Sequence, residues 1–214
     1  TDTGRVRDGN EDAYALSAST LVVADGMGGH AGGEVAARAA ADAALAAEPE
    51  QAVQAAHAAV LAVTTDELAD MGTTLVHAVL VEDALQVRWA GDSRAYLLGP
   101  DGLQQLTRDH NQAEELLAAG HLSADQARVH PGQYRLTRAL GLGRTAAPEQ
   151  DEVQVPAVGR LLLCTDGLNG ELDDDAVAGL LGEGDPETAA RRLVEAAVEA
   201  GGRDNVTVVV VDLP

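Results

Sequence analysis

The sequence has no lysine, no phenylalanine and a single cysteine, Cys164. All 14 basic residues are arginine, so no P-loop, kinase or Schiff-base lysine can exist in this chain. That removes Walker-type NTPases, ordinary kinases and lysine-aldol or PLP chemistry. One thiol allows no internal disulfide and no cysteine zinc cage. Gly170 stands where a Cys-x5-Arg phosphatase loop anchored on Cys164 would need its arginine. Without Phe, and with one Trp and three Tyr, the core falls to Ala, Val and Leu. Basic residues are scarce as well: 14 against 35 acidic gives a net charge of −21. A chain so acidic is repelled by nucleic acid and by anionic membranes. No apolar run reaches the roughly 18 residues of a membrane span, and no charged-then-apolar pattern opens the chain, so the expectation is a soluble cytoplasmic protein.

The 214 residues fit one domain, 1–214, with length for a full core. Short Val- and Leu-rich runs at Thr20 to Ala24, Thr73 to Val81, Ala84 to Ala90, Arg94 to Leu98, Arg160 to Thr165 and Val206 to Asp212 read as strands. The links Glu82-Asp83 and Gly99-Pro100-Asp101-Gly102 are too short for a crossover helix, so neighbouring strands pair antiparallel. Gly33 to Ala47, Glu50 to Val63 and Thr188 to Ala200 carry helical spacing. The predicted fold class is α+β: a four-layer α/β/β/α sandwich of two antiparallel sheets flanked by helices. Residues 111–136, with few strong apolar anchors, read as a flap-like surface excursion.

Acids are abundant, but several fall at strand ends beside Gly or Asn. Glu11-Asp12 follows Gly9-Asn10, Asp25-Gly26 and Asp166-Gly167 each end an apolar strand, Asp92 follows Gly91, and Asp204-Asn205 precedes the last strand. Carboxylates converging on one sheet edge need a cation, since two unit charges 4 Å apart repel by about 4 kcal/mol at an effective dielectric of 20. Oxygen ligands alone suit Mg²⁺ or Mn²⁺. Each acid taken singly is also an ordinary turn residue or helix cap, and Asp173-Asp174-Asp175 is read as such a cap cluster. Gly26-Met27-Gly28-Gly29-His30-Ala31 also fits a dinucleotide-binding turn, but Asp25 would sit against the pyrophosphate, and helix stands where the ribose-binding acid should be. These glycines equally allow a tight turn that exposes the Asp25 carboxylate and the Gly26 carbonyl to a metal.

In order along the chain stand VRDGNEDAY (Val6 to Tyr14), VVADGMGGHAGGEVA (Val22 to Ala36), MGTTLV (Met71 to Val76), AGDSRAYLL (Ala90 to Leu98), LTRDH (Leu106 to His110), LTRALG (Leu136 to Gly141), LLLCTDGL (Leu161 to Leu168) and RDNVTVVVV (Arg203 to Val211). This ordered set resembles the metal-dependent protein phosphatases of the PPM (PP2C) family, bacterial type. The resemblance implies a site for two Mn²⁺ or Mg²⁺ ions at the edge of the sandwich. In it Asp25 bridges the ions and the Gly26 carbonyl binds one of them. Asp166 and Asp204 complete the first ion's shell, and Glu11 and Asp12 serve the second, directly or through water. Asp92 matches a ligand for a third, weaker ion. Asn205 is expected to hold the strand end bearing Asp204. Arg7 stands at the family's phosphate-clamping position, where its planar fork suits two phosphate oxygens. His30 is the candidate proton donor to the leaving oxygen, with a structural role as the alternative.

The activity implied by the resemblance is that of a protein serine/threonine phosphatase, in which a hydroxide bridging two ions about 3.5 to 4 Å apart attacks phosphorus directly. Its implied partners are phosphorylated proteins, among them Ser/Thr kinases and their substrates, with no nucleic acid and the chain monomeric. A partner-switching phosphatase for one small regulatory protein and a non-catalytic phosphoprotein-binding module are the alternatives. Cys164 is expected as a buried strand residue, and His57 and His77 as packing residues. The chain departs from the family at Asn169-Gly170-Glu171, where a small polar residue and Asp are usual. The first motif also follows closely on Thr1-Asp2-Thr3-Gly4, where family members usually have one preceding strand.

Overall fold

A computed structural model describes residues 1–28, 32–142 and 148–213. Two antiparallel sheets form its centre. The first is built from β1 (Ala13–Leu16), β2 (Thr20–Ala24), β5 (Leu75–Val81), β6 (Ala84–Ala90) and β9 (Asp151–Pro156) in the spatial order β1-β2-β5-β6-β9. The second runs β11-β10-β7-β8, from β7 (Arg94–Gly99), β8 (Gly102–Gln105), β10 (Gly159–Cys164) and β11 (Val208–Leu213). Two short strands, β3 (Gly26–Met27) and β4 (Gly72–Thr73), pair beside the first sheet.

The period of two along each strand sorts the side chains into layers. On one face of the first sheet Ala13, Val22, Ala24, Leu75 and Ala90 pack against α1 (Gly32–Ala46) and α2 (Ala52–Val63). On its other face Val23, Val76, Val87 and Trp89 meet Ala95, Leu161, Leu163 and Val209 of the second sheet. The outer face of the second sheet, with Tyr96, Leu162 and Cys164, is covered by Leu168 of α5 (Asp166–Asn169), Val177 and Leu181 of α6 (Asp174–Leu181), and Leu193 and Ala197 of α7 (Pro186–Ala200). Successive leucines from Leu161 to Leu163 thus serve two different layers. The four-layer α/β/β/α sandwich expected from the sequence is the observed architecture. Alanines dominate the buried faces of this helical pair, Ala36, Ala37, Ala40 and Ala41 on α1 and Ala52 and Ala56 on α2, which lets the helices and the sheet approach closely without large side chains.

The structure refines several boundaries. Thr73 to Val81 divides at Thr74 into β4 and β5, because Thr74 turns its backbone N–H to the Asp25 carbonyl. Four strands went unassigned in the sequence: β1, β3, β8 and β9. In β9 half-buried and exposed positions alternate with no strong apolar run, as befits a sheet edge. Asp173 caps α6 by accepting from the Ala176 N–H, as its cluster suggested. Residues 111–136 hold α3 (Gln112–Ala118), α4 (Ala124–Arg128) and a 3-10 turn, Pro131–Tyr134. The excursion is tied at its base by the Asn111–Leu136 bridge.

Two histidines fill packing roles under the first helical pair. His57 of α2 accepts the Gly141 N–H on Nδ1, while His77 of β5 is buried with Arg88 as its cross-strand partner. Burial, aided by the Arg88 charge, holds the His77 imidazole down to about 4. The unfolded chain therefore takes up a proton near pH 6.5 while the folded chain does not, and His77 erodes stability as pH falls through that window. In urea unfolding, His77→Leu should gain about 3 kcal/mol relative to wild type between pH 7.5 and pH 4. A pH-independent difference would show that His77 protonates in the folded state at its ordinary pH. Cys164 is fully buried and its thiol is pushed up to about 12 by burial, so it is an unreactive packing residue.

Candidate active site

The acids assigned to the site sit in turns close to strand termini. β2 stops at Ala24, and the Asp25 backbone is clamped on both sides. Its N–H donates to Thr74 Oγ1 (2.9 Å), and its carbonyl accepts from the Thr74 N–H (2.9 Å) and from Thr73 Oγ1 (2.8 Å). Gly26 follows at a crossing of three segments. A Cβ there would run into the carbonyl oxygens of Gly33 and Glu11, so only glycine fits. Gly33 is equally tight, because a Cβ would come within 2.8 Å of the Glu11 carboxylate, which accepts the Gly33 N–H.

The opposite side of the site is the junction of β10, α5 and the start of β11. Asp166 opens α5, and its carboxyl hydrogen-bonds that of Asp25. Asp12 arrives from the amino-terminal segment. Its Oδ2 accepts from Thr165 Oγ1 (2.8 Å), while its Oδ1 is buried without a partner. Asp204 accepts from Arg7 Nη2 at 2.6 Å. Asn205 does the fastening: its Nδ2 donates to the carbonyls of Thr3 and Gly9, both at 2.9 Å, and its Oδ1 accepts the Glu11 N–H at 2.8 Å. One buried amide thus ties the segment carrying Arg7, Glu11 and Asp12 to the strand end carrying Asp204.

Electrostatics report how close the acids are. Burial raises the Asp25 carboxyl well above the usual range, and the charges of Asp166, Asp12, Asp92 and Asp204 raise it further. Asp12 is pushed up to about 7 by burial and by Asp166 and Asp204, against the Thr207 and Thr165 hydroxyls that favour its charged form. Asp166 is pushed up to about 6, by burial first and then by Asp204. Asp92 is raised by burial and by the neighbouring charges of Asp166 and Asp109, and Glu11 is raised by burial. Such a cluster is costly as it stands, and a divalent cation among the acids would remove both the repulsion and the desolvation cost.

The donor set fits a hard cation: it offers carboxylate oxygens, a backbone carbonyl at Gly26, and the unpartnered Asp12 Oδ1. Among the described residues no three acidic, His or Cys side chains stand gathered as a finished chelate. The carboxylates are instead engaged in pairs, Asp25 with Asp166, Asp12 with Thr165 and Asp204 with Arg7. His30 lies outside the described residues.

Sequence reasoning missed the hydroxyls. Thr73, Thr74, Thr165 and Ser93 hold the acid-bearing turns. Ser93 and Thr165 stand beside an acid in their motifs, which was the available signal, whereas Thr73 and Thr74 lie in a motif without one. The departure at Asn169-Gly170-Glu171 also has a structural use. The Glu171 carboxylate accepts from the Arg203 backbone N–H (3.0 Å) and Nε (2.8 Å), fixing the residue before Asp204.

A cavity of about 890 Å³ opens beside Asp92 and Asp166. It is lined further out by the Arg94–Asp109 pair and by Arg128 and Tyr134 of the flap. Arg7 is not among the residues that line it.

The sequence profile of the family described as Protein phosphatase 2C matches residues 15–206. The chain is 37% identical, over its whole length, to the serine/threonine protein phosphatase PstP of Mycobacterium tuberculosis and spans 44% of that protein. It is 33% identical over 99% of its length to the serine/threonine phosphatase stp of Listeria welshimeri, covering 93% of it. The crystal structure of the catalytic domain of PstP in complex with two manganese ions superposes with a TM-score of 0.86 at 36% identity, covering 99% of this chain and 95% of that one. The ordered motifs, the four-layer sandwich and the acid-lined edge agree with this likeness, and the chain belongs to the protein phosphatase 2C family.

Proposed function

We propose that this chain is a Mn²⁺- or Mg²⁺-dependent protein serine/threonine phosphatase that hydrolyses phosphoserine and phosphothreonine in proteins. The observation that carries the reading is the half-buried meeting of Asp12, Asp25, Asp166 and Asp204, with an unpartnered Asp12 oxygen and with Arg7 at its edge. Asp25, the Gly26 carbonyl, Asp166 and Asp204 would hold one ion, and Asp25, Glu11 and Asp12 the other, with Asp92 serving a third, weaker one. When bound, the ions lower the pKa of a water and neutralise the phosphate, so a nucleophile is available at neutral pH.

The chain's own groups do the rest. Arg7 gives up Asp204 and offers its fork to two phosphate oxygens, a planar two-point grip that fixes the phosphoryl group for in-line attack. The clamp on the Asp25 backbone and the Asn205 tie hold the carboxylates at fixed separation, so little rearrangement is needed as charge moves in the transition state. Cys164, buried and unreactive, forms no phosphoenzyme. Phosphorylated proteins, including Ser/Thr kinases and their substrates, are the partners this reading implies, with the chain acting as a cytoplasmic monomer. Among the described residues no helix is long and apolar enough to cross a membrane.

The test is hydrolysis of p-nitrophenyl phosphate and of a phosphothreonine peptide with Mn²⁺ titrated from zero. Saturable, Mn²⁺-dependent turnover of both, abolished by EDTA, is expected. Turnover indifferent to chelator would refute the metal mechanism. Mn²⁺ binding without turnover would favour a phosphoprotein-binding module.

A further inference from the structure

His110 lies nearly buried where the base of the flap meets the end of β6. It holds the Gly91 peptide from both sides: the His110 N–H donates to the Gly91 carbonyl (2.9 Å), and the Gly91 N–H donates to His110 Nδ1 (3.1 Å). An accepting Nδ1 places the ring proton on Nε2. Nε2 lies 3.2 Å from Asp151 Oδ2 and donates to it. Arg138 Nη1 approaches Nε2 at 3.3 Å, but donor faces donor there, and its hydrogen bond runs to Asp151 Oδ1 (3.0 Å). The His110 carbonyl accepts the Thr137 N–H, so the chain entering the flap is tied to the chain leaving it. The ring also stacks on Trp89, with centroids 6.1 Å apart and planes inclined by 13°.

All of this converges on a backbone position with no freedom of its own. Gly91 has φ +116°, and a Cβ there would stand 2.6 Å from the Thr74 side chain. The next residue is Asp92, buried and close enough to Asp166 for their charges to repel. The direction of the Asp92 carboxylate is set by the Gly91 peptide, and that peptide is oriented by His110.

We propose that His110 is a positioning residue for Asp92: through the paired hydrogen bonds to Gly91 it aims the Asp92 carboxylate beside Asp166 and couples the base of the flap to the metal-binding edge. The inference rests on the phosphatase reading, with Asp92 serving a weaker ion.

Two near-isosteres separate positioning from mere packing. His110→Asn keeps an acceptor near the Nδ1 position and so keeps the Gly91 bond, whereas His110→Gln reaches Asp151 and loses it. Manganese titration calorimetry and kcat on p-nitrophenyl phosphate are measured for both, for Asp92→Ala and for the doubles with Asp92→Ala. His110→Gln is expected to lose the weak Mn²⁺ site, to keep the tight ones, and to lower kcat by about 10- to 100-fold, as Asp92→Ala does. His110→Asn should stay within about threefold of wild type. The Gln double should be no slower than Asp92→Ala alone, because both changes remove one function.

Equal effects of Asn and Gln, multiplying losses in the double, or an intact weak site in His110→Gln would each overturn the proposal. Asp92→Ala with wild-type kcat and stoichiometry would overturn it at its base while leaving the phosphatase standing. Wild-type protein without Mn²⁺-dependent turnover marks the failure of the phosphatase reading itself and overturns the proposal with it.

Discussion

Asp25→Asn is expected to abolish turnover, by on the order of 10³-fold or more, and at the same time to make the metal-free protein more stable. The two effects have one origin. The Asp25 carboxyl is buried among Asp166, Asp12, Asp92 and Asp204 and hydrogen-bonds Asp166, so without a cation it must hold a proton or endure repulsion. An asparagine amide has the same shape, can donate to Asp166, and carries no charge. The backbone clamp from Thr73 and Thr74 is untouched. Relief of like-charge repulsion should give the metal-free variant roughly 1–2 kcal/mol over wild type in urea unfolding at pH 7.5. Saturating Mn²⁺ reverses the order. At about 100 times its Kd, the ion stabilises wild type by roughly 2.7 kcal/mol per tight site, while the variant gains little. A variant that unfolds earlier than wild type in EDTA would show that Asp25 is not under repulsive strain. One that keeps Mn²⁺-dependent stabilisation and turnover would remove Asp25 from the metal site.

The layers were legible because apolar runs bounded by short turns leave few ways to pair, and because Leu161 to Leu163 must serve a sheet covered on both faces. β9 was not legible: an edge strand with alternating polar residues has the pattern of a loop, and its strand state comes from pairing with β6. The acids of the site could be found because they fall in turns near strand ends, in segments that hold Gly or Asn. What joins them could not. The Arg7–Asp204 pair spans 197 positions and the Asp12–Thr165 bond 153, and no local spacing announces either. The same holds for the flap. Its low apolar content marked it as an excursion, but its closure through His110, Asp151 and Arg138 is a tertiary event. Only the family resemblance points to a role for Asn205 at the strand end bearing Asp204. The bonds themselves are more extensive than a tie to Asp204, since they reach Thr3, Gly9 and Glu11.

That reach makes Asn205→Ala the second large effect. The side chain is buried and supplies three hydrogen bonds to backbone groups of the amino-terminal segment. Alanine leaves the carbonyls of Thr3 and Gly9 and the N–H of Glu11 without these partners, and a net loss of about 2–4 kcal/mol is expected. Water entering the gap would recover part of it, which sets the lower end of that range. The functional loss should exceed what stability explains, because Arg7, Glu11 and Asp12 all lie on the segment that is released. Below the unfolding temperature, kcat/KM on p-nitrophenyl phosphate should fall by about 10- to 100-fold, and the Mn²⁺ concentration for half-activation should rise by a similar factor. Asn205→Asp keeps an acceptor for the Glu11 N–H but loses both donors and adds a charge beside Asp204. It should therefore be no better than alanine in EDTA and should recover part of its stability when Mn²⁺ is added. Destabilisation with unchanged Mn²⁺ dependence would mean that the amino-terminal segment keeps its place without Asn205, with the Arg7–Asp204 pair and the Asp2–Val206 bridge sufficing to hold it.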